Sequence, residues 1–184
     1  MSVVKILRSF SIMLAITCLG AHASSTGVGA AEAKAGNLII DTPWTRATPG
    51  GAKVGAGYMA IINTAGEVDR LTGAASPIAE RVEVHSMSMD NGVMRMRRID
   101  EGLEIKPRSV TALKPGGYHL MFIGLKKKIA EGDEIPVELT FEKAGTVDLK
   151  LTAAAIGAMK PAGAAATDVS PFGSSSGVGG GTKK

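Results

Sequence analysis

The stretch RVEVHSMSMDNGVMRMRR, Arg81 to Arg98, decides the fold class. At its centre Asn91-Gly92 is the dipeptide that best tolerates the two positive φ angles of a type I′ turn, so it predicts a hairpin with a two-residue loop. With that loop Asp90 pairs with Val93, Met89 opposes Met94 and Met87 opposes Met96. Successive side chains of a strand point to opposite faces. His85, Met87 and Met89 therefore share one face with Met94 and Met96, while Val84, Ser86 and Ser88 face away with Arg95 and Arg97. His85 then lies diagonally from Met96, at roughly 7–8 Å between backbones, a gap that two long side chains can close onto one ion. A slip of one residue would reverse every face.

Outward from the hairpin the apolar residues keep a period of two and are punctuated by Gly and Pro, which predicts strands rather than helices. Expected strands are Asn37–Asp41, Val54–Asn63, Asp69–Ala74, Arg81–Met89, Val93–Ile99, Leu103–Ile105, Tyr118–Leu125, Ile135–Phe141 and Thr146–Ala155. Pro115-Gly116-Gly117 and Glu131-Gly132-Asp133 read as turns. In the last strand Val147, Leu149 and Leu151 alternate with Asp148, Lys150 and Thr152, so it buries one face only. The expected class is all-β, an antiparallel β-sandwich holding one core.

The ends read differently. Lys5 and Arg8 precede an apolar run from Phe10 to about Leu19, and Ala21-His22-Ala23 is a small-x-small cleavage pattern. The run is shorter than the roughly twenty residues of a membrane-spanning helix, so residues 1–23 are expected to be a secretory signal peptide and the mature protein not to span a membrane. Residues 24–36 read as a flexible lead-in, 37–157 as the folded domain and 158–184 as a disordered Gly-, Ala- and Ser-rich tail.

Export also changes the chemical inventory. Cys18, the single cysteine, and His22 leave with the signal, so disulfides, thiolate metal sites and cysteine nucleophiles are excluded. Lys5 and Arg8 leave with no acid, and the net charge falls from +4 to +2. The remaining basic residues form no stripe with aromatics, which argues against nucleic acid as a partner. No nucleophile elbow, phosphate loop or convergent carboxylate pair is present, and no enzymatic activity is expected.

What remains to explain is histidine and methionine. His85 and His119 are the two histidines left, and Met87, Met89, Met94, Met96 and Met121 lie within the same 37 residues. His119 and Met121, one residue apart on an expected strand, face the same side. Thioether sulfur is soft and imidazole borderline, a donor set that suits Cu(I) better than Zn²⁺, Mg²⁺ or Ca²⁺. A methionine stripe is also a common form of adaptable core, and a single histidine is often a hydrogen-bonded structural residue. Residue types alone leave both readings open.

At these residues the chain resembles the PCu(A)C family of periplasmic copper chaperones. The family pattern is a His, ten residues, a Met, about twenty-one residues, then His-x-Met. Here ten residues separate His85 from Met96, and twenty-two separate Met96 from His119-Leu120-Met121, one more than usual. The extra residue falls in the 100–117 stretch, where loop absorbs it easily. Pro43-Trp44-Thr45-Arg46-Ala47 and Gly55-Ala56-Gly57-Tyr58 extend the resemblance, which covers about residues 37–157.

The resemblance implies a cupredoxin-like Greek-key sandwich in the periplasm and a Cu(I) site of His85, Met96, His119 and Met121. Met87, Met89 and Met94 stand as alternative or transient ligands, or as packing. It further implies delivery of copper to a cytochrome c oxidase subunit, toward the dinuclear copper centre, or to another copper chaperone; copper buffering without a dedicated recipient is the alternative, and the protein is expected to be a monomer. Some members bind a second copper through a His- and Met-rich tail. This tail holds Met159 and no His, so that site is not carried over. Trp44 is expected to cover the site or join the core, and Arg46 to belong to a structural ion pair.

Overall fold

The computed structural model describes residues 32–162. The expected signal peptide, most of the lead-in and the tail beyond 162 lie outside them. The described residues form eleven strands, β1 (Ala33–Ala35), β2 (Leu38–Arg46), β3 (Val54–Asn63), β4 (Asp69–Ala75), β5 (Arg81–Asp90), β6 (Val93–Arg98), β7 (Leu103–Ile105), β8 (Ser109–Leu113), β9 (His119–Ile123), β10 (Glu134–Phe141) and β11 (Gly145–Ala154). No helix long and apolar enough to cross a membrane occurs among the described residues.

The hairpin has the register its turn dictates. Asn91 and Gly92 sit at φ 49° and 80°, and Met89 pairs with Met94 and Met87 with Met96. The strand order is β1-β2-β11-β10-β4-β5-β9-β3-β8, with β6 on β5 and β7 on β4, and β2 also pairs with β3. The path from β2 round to β3 thus closes. One residue pair, Ala74 with Val82, joins β4 to β5, and at that weak corner the closed sheet folds into two faces, the expected sandwich. Between them lie Ile61, Leu71, Leu120, Phe122, Ile135, Leu139 and Leu151, all fully buried, each worth about 1.5–3 kcal/mol of burial.

Four features depart from expectation. The sandwich is not wholly antiparallel, since β11 runs parallel to β2, with Thr152 opposite Trp44 and Ala154 opposite Arg46. A period of two does not reveal strand direction. β1 lies inside the stretch read as lead-in, held by pairing to β2 and by the buried Ala35; its Ala-Lys-Ala sequence carries no bulky residue to signal a strand. β8 inverts the usual pattern, exposing Val110 while Thr111 turns inward, so its alternation is hidden. The first residues of the expected tail, Ala158 and Met159, are held against the domain. Ala158 packs on a cluster of Trp44, Tyr58 and Ala154, and its carbonyl accepts from Arg46 Nε at 2.6 Å.

A bulge in β2 explains that cluster. The register against β3 shifts between Asp41 and Trp44, with Thr42 at φ 47°. Leu38 and Ile40 face the core, and Trp44 emerges on the outer surface beside Tyr58, their ring centroids 4.6 Å apart. Facing the core instead, Gly57 sits so close to its neighbours that a Cβ there would meet Leu151 Cδ2 at 2.7 Å and the Phe122 ring at 3.1 Å. Gly57→Ala is expected to destabilise the fold by about 1–3 kcal/mol through overpacking, read as a lowered thermal midpoint.

Candidate metal centre

β9 is the strand that assembles the site. Its Leu120 and Phe122 are buried in the core, so His119 and Met121 point to the outer face. β3 flanks it on one side, with Ala56 opposite Met121. β5 flanks it on the other, with His119 opposite His85 and Met121 opposite Glu83. β6 continues the row, with Arg98 opposite His85 and Met96 opposite Met87. One outer face therefore carries His85, Met96, His119 and Met121. The two imidazoles are 5.9 Å apart between centroids and tilted by 59°.

Over this face lies a cavity of about 600 Å³ whose wall includes Met87, Met94, Met96, His119, Met121 and Met159. Arg46, Tyr58 and the 156–157 segment also line it. His119 is only 3% exposed, whereas Met94 and Met96 are 49% and 46% exposed. His85 is not part of the wall and lies beside His119 across the strand pair. Met89 points to solvent, outside the cavity.

The ring nitrogens are bound unequally. His119 Nδ1 lies 3.1 Å from the Gly117 carbonyl oxygen. A carbonyl can only accept, so Nδ1 carries the proton and Nε2 keeps a lone pair in the neutral ring. His85 Nε2 lies 2.8 Å from Glu83 Oε2, while His85 Nδ1 is buried without a partner. Leaving such an atom unsatisfied costs about 1–3 kcal/mol, and an orphan of this kind calls for a functional reason. Burial pushes the His119 imidazole below its usual pKa of 6.5; the Gly117 carbonyl opposes the shift and the His85 charge adds to it. The His85 hydrogen bond, with help from Arg81 and Arg98, holds the Glu83 carboxyl below the usual carboxylate range against partial desolvation.

Among the described residues no group of three or more His, Cys, Asp or Glu side chains is placed to hold a metal. The donors concentrated here are imidazole nitrogen and thioether sulfur, a soft set. Several participants escape a linear reading. Glu83 and His85 are two apart on β5 and so share a face, a signal available from alternation alone. Arg46 makes no carboxylate pair among the described contacts; it stacks 5.4 Å above Tyr58 and lies 3.2 Å from Met159 Sδ, fixing the chain after β11 against the cavity. Trp44 stands one residue behind the wall, against Tyr58.

Residues 38–153 match the model of the LpqE-like family, described as a lipoprotein family. The chain belongs to this LpqE-like, PCuAC-type family. Its fold is shared with the apo PCuAC domain of PmoF2, at 29% identity and a TM-score of 0.61 over 71% of this chain and 99% of that one. The copper-bound PCuAC domain from PmoF2 is similar at 29% identity and a TM-score of 0.59, over 68% and 98% of the two chains. Lxx21020 of Leifsonia xyli subsp. xyli, named as a lipoprotein, is 27% identical over 136 residues, 74% of this chain and 80% of that protein. The LpqE-like chain thus has the cupredoxin-like sandwich of the PCuAC domains.

The buried His119 makes stability depend on pH. The unfolded chain takes up a proton near 6.5 and the folded protein only at lower pH, so between those values the unfolded state binds more protons and stability rises with pH. The thermal midpoint of the metal-free protein is expected to fall as pH drops from 7.5 to 5.5, and to fall less steeply in His119→Gln.

Proposed function

We propose that this protein is an exported copper chaperone that binds Cu(I) through His85, Met96, His119 and Met121 and passes it on by ligand exchange. The observation that carries the reading is the pair of imidazoles facing each other across β5 and β9, one with a buried, unpartnered nitrogen and the other opening on a thioether-lined cavity. The copper-bound PCuAC domain among its structural relatives supports the choice of metal.

Two neutral imidazoles and two neutral thioethers leave the bound Cu(I) with its single positive charge. Binding therefore waits on no thiol deprotonation and release on no thiolate reprotonation, and in an oxidising compartment there is no thiol pair to close into a disulfide. The half-exposed Met94 and Met96 form a rim that an incoming ligand can reach. Burial, by lowering the His119 pKa, keeps that ring neutral, hence able to bind metal, below the ordinary histidine range. The recipient we assign is a cytochrome c oxidase subunit, at its dinuclear copper centre, in keeping with the resemblance of the His85, Met96 and His119-x-Met121 spacing.

Cu(I) titration against a competing chelator should show tight one-to-one binding that His85→Ala combined with Met121→Ala weakens at least a hundredfold; wild-type protein that fails to compete sinks the assignment. Deleting the gene should lower oxidase activity at limiting copper, whereas sensitivity confined to excess copper would mean buffering instead. The exported protein should have the mass of the chain without residues 1–23.

A further inference from the structure

Glu83 is bound more completely than any other carboxylate on this face. Its Oε2 meets His85 Nε2 at 2.8 Å. Its Oε1 accepts from Arg81 Nε at 2.9 Å and from Arg98 Nη1 at 3.4 Å. Side-chain exposure is 13% for both Glu83 and His85, against 60% and 58% for Arg81 and Arg98. Two solvated guanidiniums thus close one side of a sheltered carboxylate whose other oxygen is turned to the imidazole. Glu83 also stands directly across from Met121, and Arg98 directly across from His85. The carboxylate is bonded to residues of β5 and β6 while contributing no soft donor itself.

We propose that Glu83 is the positioning residue of this site: by accepting from His85 Nε2 it fixes the tautomer in which Nδ1 is bare, and it holds that ring opposite His119 before copper arrives. An ionised carboxylate has no proton to give, so a 2.8 Å contact requires the hydrogen on Nε2. In the neutral ring the lone pair then falls on Nδ1, the buried atom that has no partner. The arrangement is that of an outer carboxylate orienting a metal-binding histidine, in which the hydrogen bond made by one nitrogen selects the other for the metal. His119 is set the opposite way by the Gly117 carbonyl, so the two rings offer different nitrogens, Nδ1 from β5 and Nε2 from β9. Arg81 and Arg98 keep Glu83 from swinging away, since both hold the oxygen that His85 does not use.

The inference rests on the copper reading for its effect on affinity but not for the tautomer. Long-range proton–nitrogen correlation spectra of the metal-free protein with ¹⁵N-labelled histidine, at pH near 8, should show His85 protonated on Nε2 and His119 on Nδ1. A wild-type spectrum with His85 protonated on Nδ1, or mixed, overturns the proposal without any variant. Glu83→Leu should release the His85 preference, leave His119 unchanged and weaken Cu(I) binding by roughly tenfold to a hundredfold. Glu83→Gln, whose amide oxygen still accepts, should retain the tautomer and bind within a few-fold of wild type. Glu83→Leu with unaltered tautomer and affinity overturns the proposal. Correct tautomers in a wild-type protein that binds no Cu(I) would overturn the copper reading and leave the positioning role standing.

Discussion

Everything in this molecule turns on how β9 is held between β3 and β5. Leu120 and Phe122 are fully buried in the sandwich, and the residues between and beside them, His119 and Met121, must therefore face outward. A slip of one residue would expose the leucine and the phenylalanine and drive an imidazole and a thioether into the core. Burying those two apolar side chains is worth about 1.5–3 kcal/mol each, so the core enforces the register that sets His119 against His85. The site is built on the back of the hydrophobic core and borrows its rigidity.

That placement also explains the mixed character of the face. His119 is buried although it lies on the outer face of the sheet, and the chain after β11, tied down by Arg46, forms another part of the wall of the cavity it opens on. Burial favours the neutral imidazole, the form with a lone pair to offer. The methionines nearer the hairpin tip remain half-exposed. A sheltered nitrogen pair beneath a reachable thioether rim suits an ion that must be held and also surrendered, and flexible, polarizable methionine can do both.

Much of this was legible in the linear chain wherever the physics is local. Asn91-Gly92 sets a turn that leaves no freedom in the hairpin register, so the shared face of His85, Met87 and Met96 followed directly. The alternation in β11 and the pairing of His119 with Met121 on one face were equally plain. β8 was hidden because its exposed and inward residues invert the usual polarity, and β1 because alanines carry no pattern. Arg46 was expected to find a carboxylate. It found the Ala158 carbonyl and Met159 instead, brought by a β2–β11 pairing from more than a hundred residues away in the chain, and the Tyr58 ring on β3.

The amino-acid sequence by itself determined the strand character, the turn that aligns β5 with β6, and the inventory of donors, two imidazoles amid thioethers with no thiol in the described domain. Each depends on a dihedral preference, a side-chain period or an element's softness, and these act within a few residues. Only the tertiary structure decided that His85 and His119 stand opposite each other, that Glu83 takes one nitrogen of His85 and leaves the other bare, and that Met159 returns to the cavity. Those are contacts between distant segments, chosen by which faces the common core must bury, and no local pattern carries that information.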